Sequence, residues 1–304
     1  MGKIIAIIPA YNEELALGSV IIRTLQYVDK VIVVDDGSSD KTKEIANLAG
    51  AEVITHSLNL GKGQGLKSGF EAIKSYNYHN KNFNEIYDII VTIDGDGQNN
   101  PDEIPDLIYP IQEGIADLVN GSRYIEGFKK EDTPKYRRLG QKVLDKATNL
   151  SSGLNLTDSQ SGFRAFSNKS IDYFKLNDSG FGIESEMLSD AAEAGLKIVE
   201  VPISVRYNLD GSTENPVIHG VGVLLKIIKD MQFRRPLIYF TLPGVILFLI
   251  GILSGAWFLN KYINGISIQL APIIIVIILI IIGLFLMING ILLDSIRKLI
   301  NRKL

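Results

Sequence analysis

Two long apolar runs near the C-terminus constrain this chain more than any other feature. The first is YFTLPGVILFLIGILSGAWFL, Tyr239 to Leu259, and the second extends from Leu270 to Leu293 through IIIVIILIIIGLFLMI. Neither carries a charge, and each supplies the roughly 20 apolar residues that a helix needs to cross a bilayer. Between them NKYINGISIQ is long enough only for a hairpin loop. Lys226, Lys229, Arg234 and Arg235 precede the pair, Arg297, Lys298, Arg302 and Lys303 follow it, and the loop offers only Lys261. Flanks rich in lysine and arginine stay on the cytoplasmic side. The expectation is therefore a cell-membrane protein of two spans, its N-terminal part and its C-terminus both cytoplasmic. Tyr239, Trp257 and Tyr262 fit interfacial anchors. Buried helices of a soluble protein are the competing reading, and the uniform apolarity of the second run argues against it.

The segment GVGVLLKIIKDMQFRRP places Val221, Leu224, Leu225, Ile228 and Met231 at helical spacing, with Lys226, Lys229 and Arg234 available for a polar face. Residues 216–236 are expected to form an amphipathic helix along the lipid surface, or else to pack on the preceding domain. The membrane domain would then be 237–304, with spans at about 239–259 and 270–293. A net charge of −3 gives no basic field for nucleic acid. The absence of cysteine excludes disulfides, thiolate metal sites and cysteine nucleophiles. The start, MGKIIAIIPAYNEE, has too short an apolar run for a signal peptide, and acids follow it.

Residues 1–215 alternate between strand and helix patterns. KIIAIIPA, KVIVVDD, AEVITH, YDIIVTI and ADLVNGSRY read as strands. NEELALGSVIIRTLQ reads as a helix capped by Asn12, and NLGKGQGLKSGFEAIKSY as a glycine-rich loop opening another. This alternation predicts an α/β domain with a mostly parallel, Rossmann-like sheet built of right-handed βαβ units.

The polar motifs PAYNEE, DDGS and DGDGQ each follow a strand, so they gather at the carboxyl edge of the sheet, where such sheets bind ligands. Asp94, Asp96 and the carbonyl of Gln98 are hard oxygen ligands suited to Mg²⁺ or Mn²⁺ carrying a diphosphate, although Asp and Gly also favour plain turns. Gly95 and Gly97 would let the backbone turn close to a ligand. Asp36 is placed to accept hydrogen bonds from a base or ribose. NLGKGQG lacks the spacing of a nucleotide-phosphate loop, and no G-x-G-x-x-G follows the first strand.

In order, PAYNEE, DDGSSD, N-x-GKG, D-x-D-x-Q-x-x-P, GSRY and SGFRAF resemble the family 2 glycosyltransferases, in particular the dolichyl-phosphate mannose and glucose synthases. The resemblance covers about Ile4 to Tyr207. It implies a GT-A fold, an inverting mechanism, a divalent metal and a nucleotide diphosphate-sugar donor. Carried over by motif, Pro9, Tyr11, Glu13 and Asp36 would hold the nucleotide, and Asp94, Gly95, Asp96 and Gln98 the metal and diphosphate. Arg123, Arg164 and Arg206 would serve the diphosphate and acceptor phosphate, with Ser161 as a neutral donor. One departure stands out: RYNLDGSTENP has Thr213 where the family usually has a lysine, which leaves the diphosphate contacts and the sugar open.

A polyprenyl phosphate acceptor, such as dolichyl phosphate, joins the membrane tail to this chemistry. A phosphate monoester is already ionised at neutral pH, so it needs cations to position two repelling anions more than it needs a base. Arg123 and Arg164 are the expected clamps. Glu184 and Glu186 are the candidate carboxylate bases, or members of a solvated helix face. Two other functions compete. A processive polysaccharide synthase would need more spans and a Q-x-x-R-W motif; a non-catalytic nucleotide-sugar-binding membrane protein would lack part of the acidic triplet.

Overall fold

The computed structural model describes residues 2–79, 86–125, 135–177, 180, 182–206, 216–267 and 269–301. They form two compact units, Met1–Ile227 and Ile228–Leu304.

The first unit is built on seven strands: β1 (Lys3–Ala10), β2 (Lys30–Asp35), β3 (Glu52–Thr55), β4 (Tyr87–Thr92), β5 (Leu118–Ser122), β6 (Arg164–Ser167) and β7 (Ile198–Pro202). Their order in the sheet is β3-β2-β1-β4-β6-β5-β7. Every neighbouring pair is parallel except the two involving β6, which runs against β4 and β5. The sheet is thus mixed and mostly parallel. Because Thr92 pairs with Arg164, the amino end of β6 lies beside the carboxyl end of β4, and SGFR meets DGDGQ.

Helices cover both faces, so alternate residues of the central strands enter different cores. Ile4, Ala6 and Ile8 of β1 join Leu17 and Ile21 of α1 (Leu17–Thr24) and Leu107 of α4 (Ile104–Gln112). Ile5 and Ile7 face the other way, towards Leu66, Phe70 and Ile73 of α3 (Lys62–His79) and Met187 and Leu188 of α6 (Ile183–Glu193). The remaining helices of this unit are α2 (Thr42–Leu48) and α5 (Lys135–Ser152), and α7 (Pro216–Arg234) runs across the boundary between the two units.

Asn12 does not cap α1. It adopts φ +55°, and its Oδ1 accepts from the backbone N–H of Ser39 at 2.9 Å. The helix starts at Leu17 because residues 12–14 are drawn into contacts with the DDGSSD loop and the start of α2, where Glu14 N donates to Asp40 Oδ2 at 3.2 Å and Glu13 N to Thr42 Oγ1 at 2.8 Å.

The second unit is a helical hairpin of α8 (Leu242–Ile263) and α9 (Leu270–Asn301), with a π-helical turn at Leu237–Thr241 leading in. Leu237–Ile263 and Leu270–Leu299 are long and apolar enough to cross a membrane, and their side chains are largely uncovered. The helices pack through glycine: a Cβ added to Gly283 would lie 2.6 Å from Phe248 N and 2.8 Å from Gly244 O.

Candidate active site

The strand β4 delivers its acids at the sheet's carboxyl edge. Asp96 is pushed up to about 6, first by burial and then by the charge of Asp94. Glu13, from the loop after β1, is pushed up to about 7 by burial and by Asp96 and Asp94. Three carboxyl groups therefore sense one another here. Gly97 takes φ +73° to make the turn, whereas Gly95 packs inward, a Cβ there lying 3.3 Å from Leu17 Cδ1 and 3.5 Å from Ala10 Cβ. Gly95 serves the core, not a ligand approach. Gln98 N donates to Asp96 Oδ1 at 3.0 Å, and Gln98 O accepts from Arg206 N at 2.9 Å. A bridge between Asn99 and Val205 fixes that contact and brings Arg206 to the edge of the acidic turn.

The cation beside these acids is Lys62, the lysine of GKG. Its Nζ lies 2.6 Å from Asp94 Oδ1 and 2.8 Å from Glu184 Oε1. Both charges raise the lysine's pKa against the burial that would lower it. Gly162 makes this approach feasible, because a Cβ there would sit 2.6 Å from Asp94 Oδ2 and 2.8 Å from Lys62 Nζ. Glu184 and Glu186 are not a solvated face: they are 2% and 4% exposed. Glu184 Oε2 is buried without a hydrogen-bond partner. Glu186 accepts from Asn177 N at 3.1 Å, within the fold.

Several expected ligand residues are committed to the protein itself. Asp36 is 4% exposed and accepts from Leu60 N at 2.9 Å, Gly61 N at 2.7 Å and His56 Nδ1 at 2.7 Å, which commits most of its acceptor capacity to anchoring the loop. Arg164 is 0% exposed, so it cannot clamp an acceptor phosphate directly. Its donors reach Asn120 Oδ1 at 2.8 Å, Glu184 O at 2.9 Å and Ser159 O at 2.9 Å. Burial lowers it to about 10, so it remains charged at neutral pH. The sheet register turned this side chain inward, which the motif alone does not disclose. Arg123 is more accessible. Asp158 holds it by two bonds, Nε to Oδ2 at 2.6 Å and Nη2 to Oδ1 at 2.8 Å, with 22% of the side chain exposed. Ser161 is 4% exposed, with Phe163 N donating to its Oγ at 3.3 Å. Tyr11 stands 42% exposed, and Pro9 lies against α3 at Gly65.

Sequence reasoning missed Lys62 and His56. GKG at the mouth of a helix was the available signal for the lysine; nothing in the linear sequence paired it with residues 32 and 122 positions away. Among the described residues, no group of three or more histidine or acidic side chains is arranged to hold a metal. Asp94 and Asp96 nonetheless have the right chemistry for a hard divalent cation: oxygen donors one residue apart, with Asp96 disfavoured as a bare anion.

Residues 5–174 match the family described as Glycosyl transferase family 2. The chain belongs to that family, and its fold is GT-A. It is 33% identical over 239 residues to a UDP-N-acetylglucosamine–dolichyl-phosphate N-acetylglucosaminyltransferase of Methanococcus voltae, covering 72% of this chain and 90% of that protein. A dolichol-phosphate mannosyltransferase of Pyrococcus furiosus is 30% identical over 285 residues, 89% of this chain and 76% of the other. Among solved structures, a glucosyl-3-phosphoglycerate synthase of Mycobacterium tuberculosis, crystallised with Mg²⁺ and UDP, has a TM-score of 0.56 at 27% identity, covering 77% of this chain and 79% of that one.

Proposed function

We propose that this glycosyltransferase moves a sugar from a nucleotide diphosphate-sugar to a polyprenyl phosphate, with inversion, at the face of a bilayer crossed by α8 and α9. The observation that carries this reading is the crowding of Asp94, Asp96 and Glu13 beside Lys62 at the edge of the sheet. Acids crowded in this way repel an unescorted diphosphate, and they favour one that arrives with Mg²⁺ or Mn²⁺. Asp94 and Asp96 would hold that cation, which when bound would offset charge on the departing diphosphate. Relatives named as polyprenyl-phosphate sugar transferases support the acceptor class, and a neighbour crystallised with Mg²⁺ and UDP supports the donor class.

In this reading an acceptor phosphate oxygen attacks the anomeric carbon as the bond to the diphosphate breaks. Arg123, presented by Asp158, and Arg206, anchored at Gln98, position the two anions. Arg164 acts indirectly by shaping the floor under Glu184. Glu184 is paired with Lys62, which suits an acceptor that needs no base. Helix α7 lies along the lipid surface, and the basic flanks of the two spans keep both ends on the cytoplasmic side.

The test uses the purified full chain in proteoliposomes with UDP-N-acetylglucosamine, UDP-glucose or GDP-mannose, Mn²⁺ or Mg²⁺, and dolichyl or undecaprenyl phosphate. One donor is expected to yield a lipid-linked sugar, and excess chelator to stop it. No transfer from any donor, or full turnover in chelator, overturns the reading.

A further inference from the structure

His56 follows β3 and joins three separate pieces of the domain. Its Nδ1 lies 2.7 Å from Asp36 Oδ1, at the end of β2, and its Nε2 lies 2.9 Å from Ser68 Oγ, within α3. Both side chains of the His56–Asp36 pair are largely buried, 11% and 6% exposed. The carboxylate of Asp36 only accepts, so the proton of a neutral His56 sits on Nδ1 and Ser68 donates to Nε2. Asp36 also takes the backbone N–H groups of Leu60 and Gly61 at 2.9 and 2.7 Å. These two amides belong to the turn immediately before Lys62, and Gly61 adopts φ +94°, which disfavours other residues there.

The order serine, histidine, aspartate matches a hydrolytic triad, but the surroundings do not. Ser68 lies inside α3, where backbone N–H groups are committed to carbonyls four residues back and cannot form an oxyanion pocket. What the three side chains do form is a brace. It ties the end of β2, the end of β3 and the second turn of α3 around the turn from which Lys62 projects.

We propose that His56 is a positioning residue for sugar transfer: through Asp36 and Ser68 it fixes the 59–61 turn and so holds Lys62 between Asp94 and Glu184. The kinetic part of this assignment rests on the transferase reading above; the placement of Lys62 does not.

The test compares wild type with His56→Ala, His56→Asn and Ser68→Ala in the detergent-solubilised full chain. Amine labelling of Lys62, followed by peptide mass spectrometry, is expected to rise roughly tenfold in His56→Ala, the order of effect of losing one or two hydrogen bonds. Hydrogen exchange should increase over residues 57–63 and stay unchanged in β1 and β4. Asparagine places an N–H donor near the position of Nδ1, so His56→Asn should recover most of the protection. With an active donor, kcat should fall in His56→Ala and recover in His56→Asn, while the KM for the lipid phosphate holds. If neither histidine variant folds, Ser68→Ala carries the labelling test and should raise it by about threefold. Labelling of Lys62 at the wild-type rate in the variants that fold overturns the assignment. So does faster exchange spread through β1 to β4, which would mean that His56 serves the fold alone. A wild type that transfers no sugar defeats the transferase reading but leaves the labelling result to decide His56.

Discussion

Lys62 Nζ lies 2.6 Å from Asp94 Oδ1, so the chain brings its own cation to one of the two carboxylates of the acidic turn. The same ammonium reaches Glu184, whose side chain is 3% exposed. Removing one partner of a buried pair leaves an uncompensated charge and costs about 3–5 kcal/mol. Lys62→Met is therefore expected to destabilise the first unit by about this much, less whatever the partial exposure of Asp94 relieves. Adding Glu184→Gln should restore much of the stability without restoring transfer. Thermal unfolding and transfer rate, measured on the same samples, check both halves. A double variant with wild-type activity would remove Lys62 from the chemistry.

Asp145 gives a pH prediction away from the acidic turn. It is 7% exposed and accepts from the N–H and the hydroxyl of Ser159, both at 2.8 Å, yet burial raises it from 3.8 to about 6. The folded state then binds this proton more tightly than the unfolded state does. Its contribution to stability is present below pH 3.8 and is lost as pH rises through about 6. Asp145→Asn keeps an acceptor for Ser159 and removes the charge. The variant should match or exceed wild-type stability at pH 7.5, by up to about 3 kcal/mol, keep about half of that advantage near pH 5, and lose it only below pH 3.8. A variant less stable than wild type at pH 7.5 would show that Ser159 needs the carboxylate.

The core strands were legible because both faces of β1, β2 and β4 are covered, and continuous apolar runs such as IIAII and VIVV have few other uses. The acids after those strands were legible for the same reason, since strand ends fix where such residues emerge. What the sequence withheld were relations between distant segments. The short β6 had no apolar run of its own to announce it, and its antiparallel direction decides that Arg164 points inward while Gly162 meets Asp94. Asp36 looked like a free acceptor because its three donors come from residues 56, 60 and 61, in a loop whose path no local pattern specifies. The start of α1 slipped to Leu17 because Asn12 found a partner in another loop.

Arg164 separates a buried strut from a phosphate clamp. With three donors engaged to Asn120, Glu184 and Ser159, its replacement should cost stability before it costs affinity. Arg164→Met is expected to lower the unfolding free energy by about 3 kcal/mol or more, since several buried acceptors lose their partner together. Arg164→Lys should recover only part, because an ammonium cannot span three diverging acceptors. At temperatures where the lysine variant stays folded, its KM for the lipid phosphate should be near wild type. A large rise in that KM with unchanged stability would return Arg164 to the acceptor site.

The hairpin of α8 and α9 offers the last test, at Gly283. Its α-carbon faces α8 so closely that an added Cβ would fall 2.6 Å from Phe248 N and 2.8 Å from Gly244 O, both backbone atoms that no rotamer change can move aside. The same seam continues at Gly251 against Ile280 and at Gly255 against Val276, so α8 and α9 run antiparallel with their backbones in contact. In lipid, helix association draws on such close approach, because the apolar side chains gain nothing by leaving the acyl chains. Gly283→Val should force the helices apart and cost about 1–3 kcal/mol of hairpin stability. Gly265, in the loop between α8 and α9, has open space around its α-carbon but φ +78°, so Gly265→Asn is the milder comparison. Because the chain has no cysteine, a pair introduced at Gly255 and Val276 can report the contact by oxidative cross-linking in membranes. Cross-linking should be efficient in the parent, nearly unchanged with Gly265→Asn, and strongly reduced with Gly283→Val. Equal cross-linking in all three would mean that the two helices do not meet along this seam.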